Sequence, residues 1–135
     1  MQLANQTPPG SKGRLWTGRI ASTVAVLFLL LDGTLHVTVP APVVEAFARL
    51  GYPVSLALGI GILEIVCTVV YAIPRTSILG AILLTGYLGG ATASQVRVGS
   101  SLFAEALFPV YIGVLVWGGL FLREDRLRVL VPLRR

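Results

Sequence analysis

The sequence has little of what soluble enzymes usually rely on. Its 135 residues include one cysteine, one histidine and six acidic side chains, and only 13% of the residues are charged. One cysteine allows no internal disulfide, no dithiol couple and no cysteine-rich metal site. A soluble domain has about 25% charged residues, and a chain this short cannot bury a composition that is 55% hydrophobic inside one core. These shortages exclude an ordinary soluble domain.

The chain has instead four apolar stretches of about 20 residues, the length that crosses a hydrocarbon core of about 30 Å. They cover residues 16–37, 53–73, 76–96 and 102–122. Helices satisfy their own backbone groups in lipid, and the short links at 74–75 and 97–101 favour antiparallel neighbours. The sequence predicts one all-α domain over residues 14–135, a transmembrane four-helix bundle with up-down-up-down topology. Residues 1–13 are polar and contain proline and glycine, so they are expected to form a flexible tail.

Two further patterns refine this architecture. Residues 41–50 (APVVEAFARL) predict a short amphipathic helix in the first outer loop, ended by Gly51 and lying on the membrane surface. In the third span small residues recur every four positions, in one row of Ala81, Thr85, Gly89 and Ala93 and an adjoining row of Gly86, Gly90 and Ser94. Small residues at this spacing let helices approach closely in lipid. We therefore expect the first row to pack against another helix.

Basic residues are distributed unevenly between the two sides of the predicted bundle. One side has Lys12, Arg14, Arg19, Arg75, Arg123, Arg126, Arg128, Arg134 and Arg135, and the other side has Arg49 and Arg97. The positive-inside rule then places both chain ends in the cytoplasm and the protein in the cell (inner) membrane. The net charge of +5 is interpreted as contact with anionic lipid. No basic stripe alternates with aromatic residues, which argues against nucleic acid as a partner.

Ionisable side chains inside the spans are the main functional signal, because such groups are costly in lipid and usually face the bundle interior or a wet cavity. Asp32 and His36 are four residues apart and share one helical face. At 1.5 Å per residue, Glu64 lies about 16 Å deep, close to the midplane. Asp32, His36 and Glu64 are therefore the candidate acid/base and binding residues of a chamber that opens outward.

Further polar residues are expected to line this chamber. Thr68 and Tyr71 follow Glu64 at helical spacing with Cys67 beside them, and three more polar residues lie at the outer level. The predicted lining is Cys67, Thr68, Tyr71, Gln95, Arg97 and Glu105. Structural interpretations stay open at this point. Glu64 could bond to a neighbouring helix, Asp32 could form a structural pair with His36 and Arg97 could form a salt bridge with Glu105, while Cys67 could be a plain core residue.

Several short motifs resemble those of the DoxX-like family of small membrane proteins. They are LDG at 31–33, IPRT at 73–76, LGAILLTGYLGG at 79–90, FP at 108–109 and WGGL at 117–120. The resemblance extends over residues 14–135 and implies a small four-helix integral membrane protein. That family is similar to the small membrane subunit of thiosulfate:quinone oxidoreductase, which implies a link with membrane redox complexes and with quinone.

Three functions are compatible with these patterns. The first is an accessory or small-molecule-binding subunit that holds a lipophilic ligand, such as a quinone, and serves a partner enzyme in a membrane redox or biosynthetic pathway. The second is a small isomerase or cyclase in which Glu64, kept protonated by its surroundings, donates a proton and Asp32 with His36 accepts one. The third is a proton-coupled transporter, which the apolar inner half disfavours.

Cofactor motifs do not help to choose between these functions. We find no motif for haem, iron–sulfur clusters, nucleotide or flavin and expect no metal ligands, so a redox role would depend on a partner or on a bound quinone. A homo-oligomer is compatible with the sequence.

Overall fold

The apolar stretches form long helices. The computed structural model describes residues 9–131, and its helices in chain order are α1 Pro9–Thr38, α2 Ala41–Leu50, α3 Ala57–Ala72, α4 Ser77–Arg97, α5 Phe108–Arg123 and α6 Asp125–Leu130. A 3₁₀ turn at Val54–Leu56 leads into α3, and a π-helical turn at Leu102–Ala106 leads into α5. Four segments are long and apolar enough to cross a membrane: Lys12–Thr38, Val54–Ala72, Ser77–Arg97 and Leu102–Arg123. The predicted all-helical bundle with four spans is confirmed, with boundaries shifted by a few residues.

The first helix begins earlier than expected. It starts at Pro9, within the tail predicted over residues 1–13, and the part of that tail before Pro9 lies outside the described residues. A proline is tolerated in the first helical turn because its missing N–H would have no partner there. At the other end α6 contacts α1 through an ion pair of 3.6 Å between Arg14 and Asp125.

Helix α1 packs against α3 and α5, and α4 packs against the same two helices. The side chains buried between them include Leu29, Leu84 and Leu120. Large apolar side chains on the outward faces remain exposed, as a lipid environment allows. Up-down-up-down topology and the orientation of the bundle in the membrane stay predictions.

Two glycine pairs let α1 approach its neighbours closely. A Cβ atom on Gly18 would lie 2.9 Å from the carbonyl oxygen of Gly119 in α5, and one on Gly61 in α3 would lie 2.7 Å from the carbonyl oxygen of Gly33. Both distances are shorter than side chains permit. Close approach of helix backbones at small residues is the usual way helices pack in lipid. Helix α1 is therefore held close to both α3 and α5.

Helix α2 lies over the end of α1. It ends at Gly51, whose positive φ of 74° suits a residue without a side chain. Val43 and Phe47 are buried, and the Phe47 ring contacts the rings of His36 and Tyr52 at centroid distances of 5.8 and 6.4 Å. The segment between the first two spans thus covers the end of α1 where His36 lies.

The small residues of α4 follow the prediction only in part. Thr85, Gly89 and Ala93 are exposed, and a Cβ atom on Gly89 would meet no atom within 4 Å. The expectation that this row packs against another helix holds for its first half: Ala81 is fully buried in the core, and Thr85 accepts a hydrogen bond of 2.7 Å from the Trp117 indole of α5, whereas Gly89 has open space around it. The adjoining row of Gly86, Gly90 and Ser94 lines a cavity. Close helix contacts involve glycines of all four long helices, including Gly80 of α4 against the Tyr71 backbone of α3, whereas Gly86, Gly89 and Gly90 in the middle of α4 leave space.

Candidate functional site

A cavity of about 550 Å³ lies between the C-terminal part of α1, α2, the first half of α3, the C-terminal half of α4 and the start of α5. Most of its wall is apolar. The apolar wall includes Phe28, Leu29, Ile60, Leu63, Leu88 and Ile112. The polar wall consists of Asp32, His36, Tyr52, Glu64, Tyr87, Ser94, Gln95 and Glu105. The cavity therefore combines a large apolar surface with a few polar groups, as ligand sites usually do.

The structure brings Asp32, His36 and Glu64 together at one wall. The Nδ1 atom of His36 lies 3.6 Å from a carboxylate oxygen of Asp32 and 3.6 Å from Oε2 of Glu64. The same nitrogen is 2.8 Å from the main-chain carbonyl oxygen of Asp32 and can donate a hydrogen bond to it. The imidazole thus stands between two carboxylates that belong to different helices.

Glu64 is completely buried, and its two carboxylate oxygens have different surroundings. Oε2 accepts a hydrogen bond of 2.9 Å from the Tyr87 hydroxyl of α4. Oε1 is also buried and has no hydrogen-bond partner among the residues that the structure describes. A buried polar atom without a partner costs free energy. The arrangement leaves one acceptor position of Glu64 for a bound group.

The crossing of α1 and α3 explains why these side chains meet. Gly33 follows Asp32 directly, and Gly61 precedes Glu64 by one helical turn. A Cβ atom on Gly61 would lie 2.7 Å from the carbonyl oxygen of Gly33 and 2.8 Å from the Cβ atom of His36. Because the two backbones touch here, side chains one turn away come into contact across the interface.

At the rim of the cavity, Glu105 forms an ion pair with a different arginine from the one considered in the sequence. Gln95 and Glu105 line the cavity, whereas Arg97 is not among its lining residues. The possible Arg97–Glu105 salt bridge does not form: Glu105 pairs with Arg49 of α2 at 3.1 Å. Arg97 donates to the main-chain carbonyl of Leu50 and stacks over the Tyr52 ring at 5.4 Å. The end of α2 supplies competing partners for both groups, which the sequence spacing did not reveal.

Three residues of the predicted lining lie deeper in the bundle. Cys67, Thr68 and Tyr71 are buried and do not line this cavity. They follow Glu64 by three to seven residues, about 5–10 Å along α3 at 1.5 Å per residue, where the neighbouring helices close into the packed core. The Tyr71 hydroxyl donates to the Val116 carbonyl at 2.7 Å. Tyr71 also borders a second cavity of about 230 Å³ together with Arg19 and Arg123.

The cluster also has the composition of a metal site. One ligand atom from each of Asp32, His36 and Glu64 lies within 4.8 Å of the others. From the sequence we expected these three residues to share a chamber but expected no metal ligands, because residue spacing gives no distance between side chains of different helices.

Tyr87 and Gly61 are functional candidates that sequence reasoning missed. The only available signals were a tyrosine in the middle of an apolar span and a glycine one turn before a buried carboxylate.

These features define a multi-pass membrane protein with a ligand-sized cavity in its helix bundle. The model of the DoxX-like family matches residues 20–119, and the chain belongs to this family. The resemblance found in the sequence is thereby confirmed, and the matched segment contains Asp32, His36, Glu64 and Tyr87. No curated protein and no solved structure matches the chain.

Proposed function

We propose that the chain binds a lipophilic small molecule in the cavity beside Asp32, His36 and Glu64, as an accessory subunit of a membrane redox or biosynthetic pathway. The observation that carries this proposal is the cavity itself, about 550 Å³ in volume and mostly apolar, with a polar cluster at one wall. Ligand sites for small molecules have volumes of about 300–1,000 Å³ and a few polar groups that orient the ligand. A partner enzyme would carry out the reaction that the bound molecule serves.

A quinone is the ligand class that suits the polar wall best. Its ring needs an apolar slot, and its carbonyl oxygens need hydrogen-bond donors such as the side-chain amide N–H groups of Gln95. The reduced form instead donates from hydroxyl groups, and the unpartnered Oε1 of Glu64 is an acceptor. A wall that has both donors and acceptors suits both oxidation states. Electrons would come from a partner protein.

The position of the cavity favours a ligand that arrives from lipid. Leu63 and Phe108 border the cavity while 53% and 41% of their surfaces remain exposed. Both residues belong to the membrane-spanning segments. The cavity wall therefore reaches the lipid-facing surface of the bundle within its apolar spans, and lipid is where a lipophilic molecule is concentrated.

A second candidate function is acid–base catalysis on an apolar substrate, as in an isomerase or cyclase. The unpartnered Oε1 of buried Glu64 and the nearby His36–Asp32 pair favour it. Glu64, held protonated, would donate a proton from one wall while Asp32 with His36 accepts one. Turnover of a substrate by the purified chain alone would support this function over the accessory one.

The proposed setting is the cell (inner) membrane with both termini in the cytoplasm. The excess of Lys and Arg at the chain ends and at Arg75 supports this orientation. The cavity would then lie in the outer half of the membrane. A homo-oligomer is compatible with this setting.

The test is to identify what the protein holds. The full chain is purified in mild detergent and extracted with organic solvent, and the extract is analysed by mass spectrometry. A binding titration of the stripped protein with a short-tail ubiquinone follows. We expect a stoichiometric lipophilic compound or saturable binding of the quinone. An extract with only bulk phospholipid, together with no saturable binding, would refute the proposal.

A further inference from the structure

The three clustered side chains offer the donor set of a transition-metal site. Asp32 and Glu64 supply carboxylate oxygens and His36 supplies an imidazole nitrogen, from two different helices. Imidazole is a ligand of zinc and iron, and carboxylate suits manganese as well. Sites with three protein ligands of this kind keep a further position open for water or substrate.

The spacing of the donor atoms is close to that of a coordination shell. Bonds of about 2.0–2.1 Å in a tetrahedral shell place neighbouring ligand atoms about 3.3–3.4 Å apart. The Nδ1 atom of His36 lies 3.6 Å from Oδ2 of Asp32 and 3.6 Å from Oε2 of Glu64. These two distances exceed the shell spacing by a few tenths of an ångström, and the three ligand atoms lie within 4.8 Å of one another, so side-chain rotations would bring the donors to one ion.

The charge of the cluster supports a cation. Within residues 12–131 no lysine or arginine lies within 4.0 Å of either carboxylate, and His36 is their only basic neighbour. The nearby cations are engaged elsewhere, Arg49 with Glu105 and Arg97 with the Leu50 carbonyl. Two carboxylates in a low-dielectric bundle are costly without compensation. One divalent cation would compensate both carboxylates when Glu64 is ionised.

A second observation points independently to a bound group. The side chain of Glu64 is 0% exposed and lines the cavity, and its Oε1 has no partner among the described residues. Tyr87 already occupies Oε2 at 2.9 Å, as an outer hydrogen bond that orients a ligating carboxylate. We propose that Asp32, His36 and Glu64 bind one divalent transition-metal cation, of the type of Zn²⁺, Mn²⁺ or Fe²⁺, with an open coordination position towards the cavity.

Binding at Nδ1 requires release of the proton that this atom donates to the Asp32 carbonyl. Metal sites release ligand protons on loading, so affinity should fall as the pH is lowered. The open position would take an oxygen atom of the lipophilic ligand, and this part of the inference rests on the proposed function. Metal binding itself does not.

For the test, the purified full chain is stripped with EDTA and titrated with Co²⁺ as a spectroscopic probe. A second sample is loaded with Zn²⁺ and its metal content is measured by elemental analysis. We expect one ion per chain, visible d–d absorption, one coordinated imidazole nitrogen by pulsed electron paramagnetic resonance of the Mn²⁺ form, and release of protons on loading. Glu64→Gln and His36→Gln should weaken binding at least 100-fold. Tyr87→Phe should weaken it by about 10–100-fold, as the loss of an outer-shell partner does.

Glu45→Gln is the matched control, because Glu45 is an exposed carboxylate of α2 that does not line the cavity, and this variant should bind the metal as the wild type does. Absence of any bound ion in the wild type, or equal binding by Glu64→Gln, would overturn the inference. If a variant does not fold, the imidazole signal of the wild-type protein decides alone. Titration of the stripped, metal-free protein with a short-tail ubiquinone separates the two proposals, since quinone binding without metal binding overturns only the metal site.

Discussion

Replacement of Gly61 by alanine tests the contact that assembles the site. The added Cβ atom would lie 2.7 Å from the carbonyl oxygen of Gly33, about 0.7 Å shorter than ordinary contact, and 2.8 Å from the Cβ atom of His36. One of these atoms belongs to backbone, so the two helices must separate. Overpacking of this kind costs about 1–3 kcal/mol. The alanine offsets up to about 1 kcal/mol through its higher helix propensity, so the net loss should be up to about 2 kcal/mol.

A matched control lies two residues away on the same helix. Gly59 is exposed, and a Cβ atom there would meet nothing within 4 Å. Gly59→Ala should therefore leave stability unchanged or raise it by up to about 1 kcal/mol. The assay is unfolding in mixed micelles by titration with sodium dodecyl sulfate, with ligand binding measured in parallel. Gly61→Ala should also weaken binding, because it separates His36 from Glu64.

The refuting result is equally specific. If Gly61→Ala is as stable as Gly59→Ala and binds ligand equally well, α1 and α3 do not touch at Gly33 and Gly61. The cluster of Asp32, His36 and Glu64 would then lack the contact that forms it.

Three further predictions follow from the structure. Glu64→Gln should keep the free energy of unfolding within about 1 kcal/mol of the wild type, whereas Glu64→Leu leaves the Tyr87 hydroxyl without an acceptor and should cost about 1–3 kcal/mol. Thermal unfolding in detergent measures both variants. If they are equally stable, the hydrogen bond between Tyr87 and Glu64 is absent. In a Cys67→Ala background, a cysteine at Ser11 should resist an impermeant thiol reagent added to intact cells, and labelling would contradict the proposed orientation. The coupling energy of Arg49 and Glu105, measured by a double-mutant cycle, should stay below about 1 kcal/mol because both side chains are partly exposed; a larger value would mean that the pair is shielded by a partner.

The sequence predicts the spans well because length and apolar composition alone determine whether a segment can cross a membrane. It also predicts the Asp32–His36 pair, since residues four apart on a helix must be neighbours. Glu64 is identifiable as an exception, because a carboxylate near the midplane has a high energetic cost that packing does not explain. Each of these inferences depends on the residues of a single helix and on no contact between helices.

Contacts between helices are where prediction from the sequence fails. In lipid every face of a helix is apolar, so hydrophobicity does not tell which face meets a neighbour. Two rows of small residues on α4 look equivalent, yet Gly90 borders the cavity and Gly89 does not. Likewise Arg49 and Arg97 are both reasonable partners of Glu105, and the path of α2 selects Arg49.

The neighbouring glycines of α4 give the most direct test of the central claim, that the cavity holds the ligand. A Cβ atom on either Gly89 or Gly90 would meet nothing within 4 Å, so both positions have room for a side chain. Only Gly90 borders the cavity, and a leucine there would occupy part of its 550 Å³. The measurement is a titration of both leucine variants with a short-tail ubiquinone. Gly90→Leu should weaken binding at least tenfold, about 1.4 kcal/mol, and Gly89→Leu should bind as the wild type does. Equal affinity of the two variants would contradict ligand binding in this cavity.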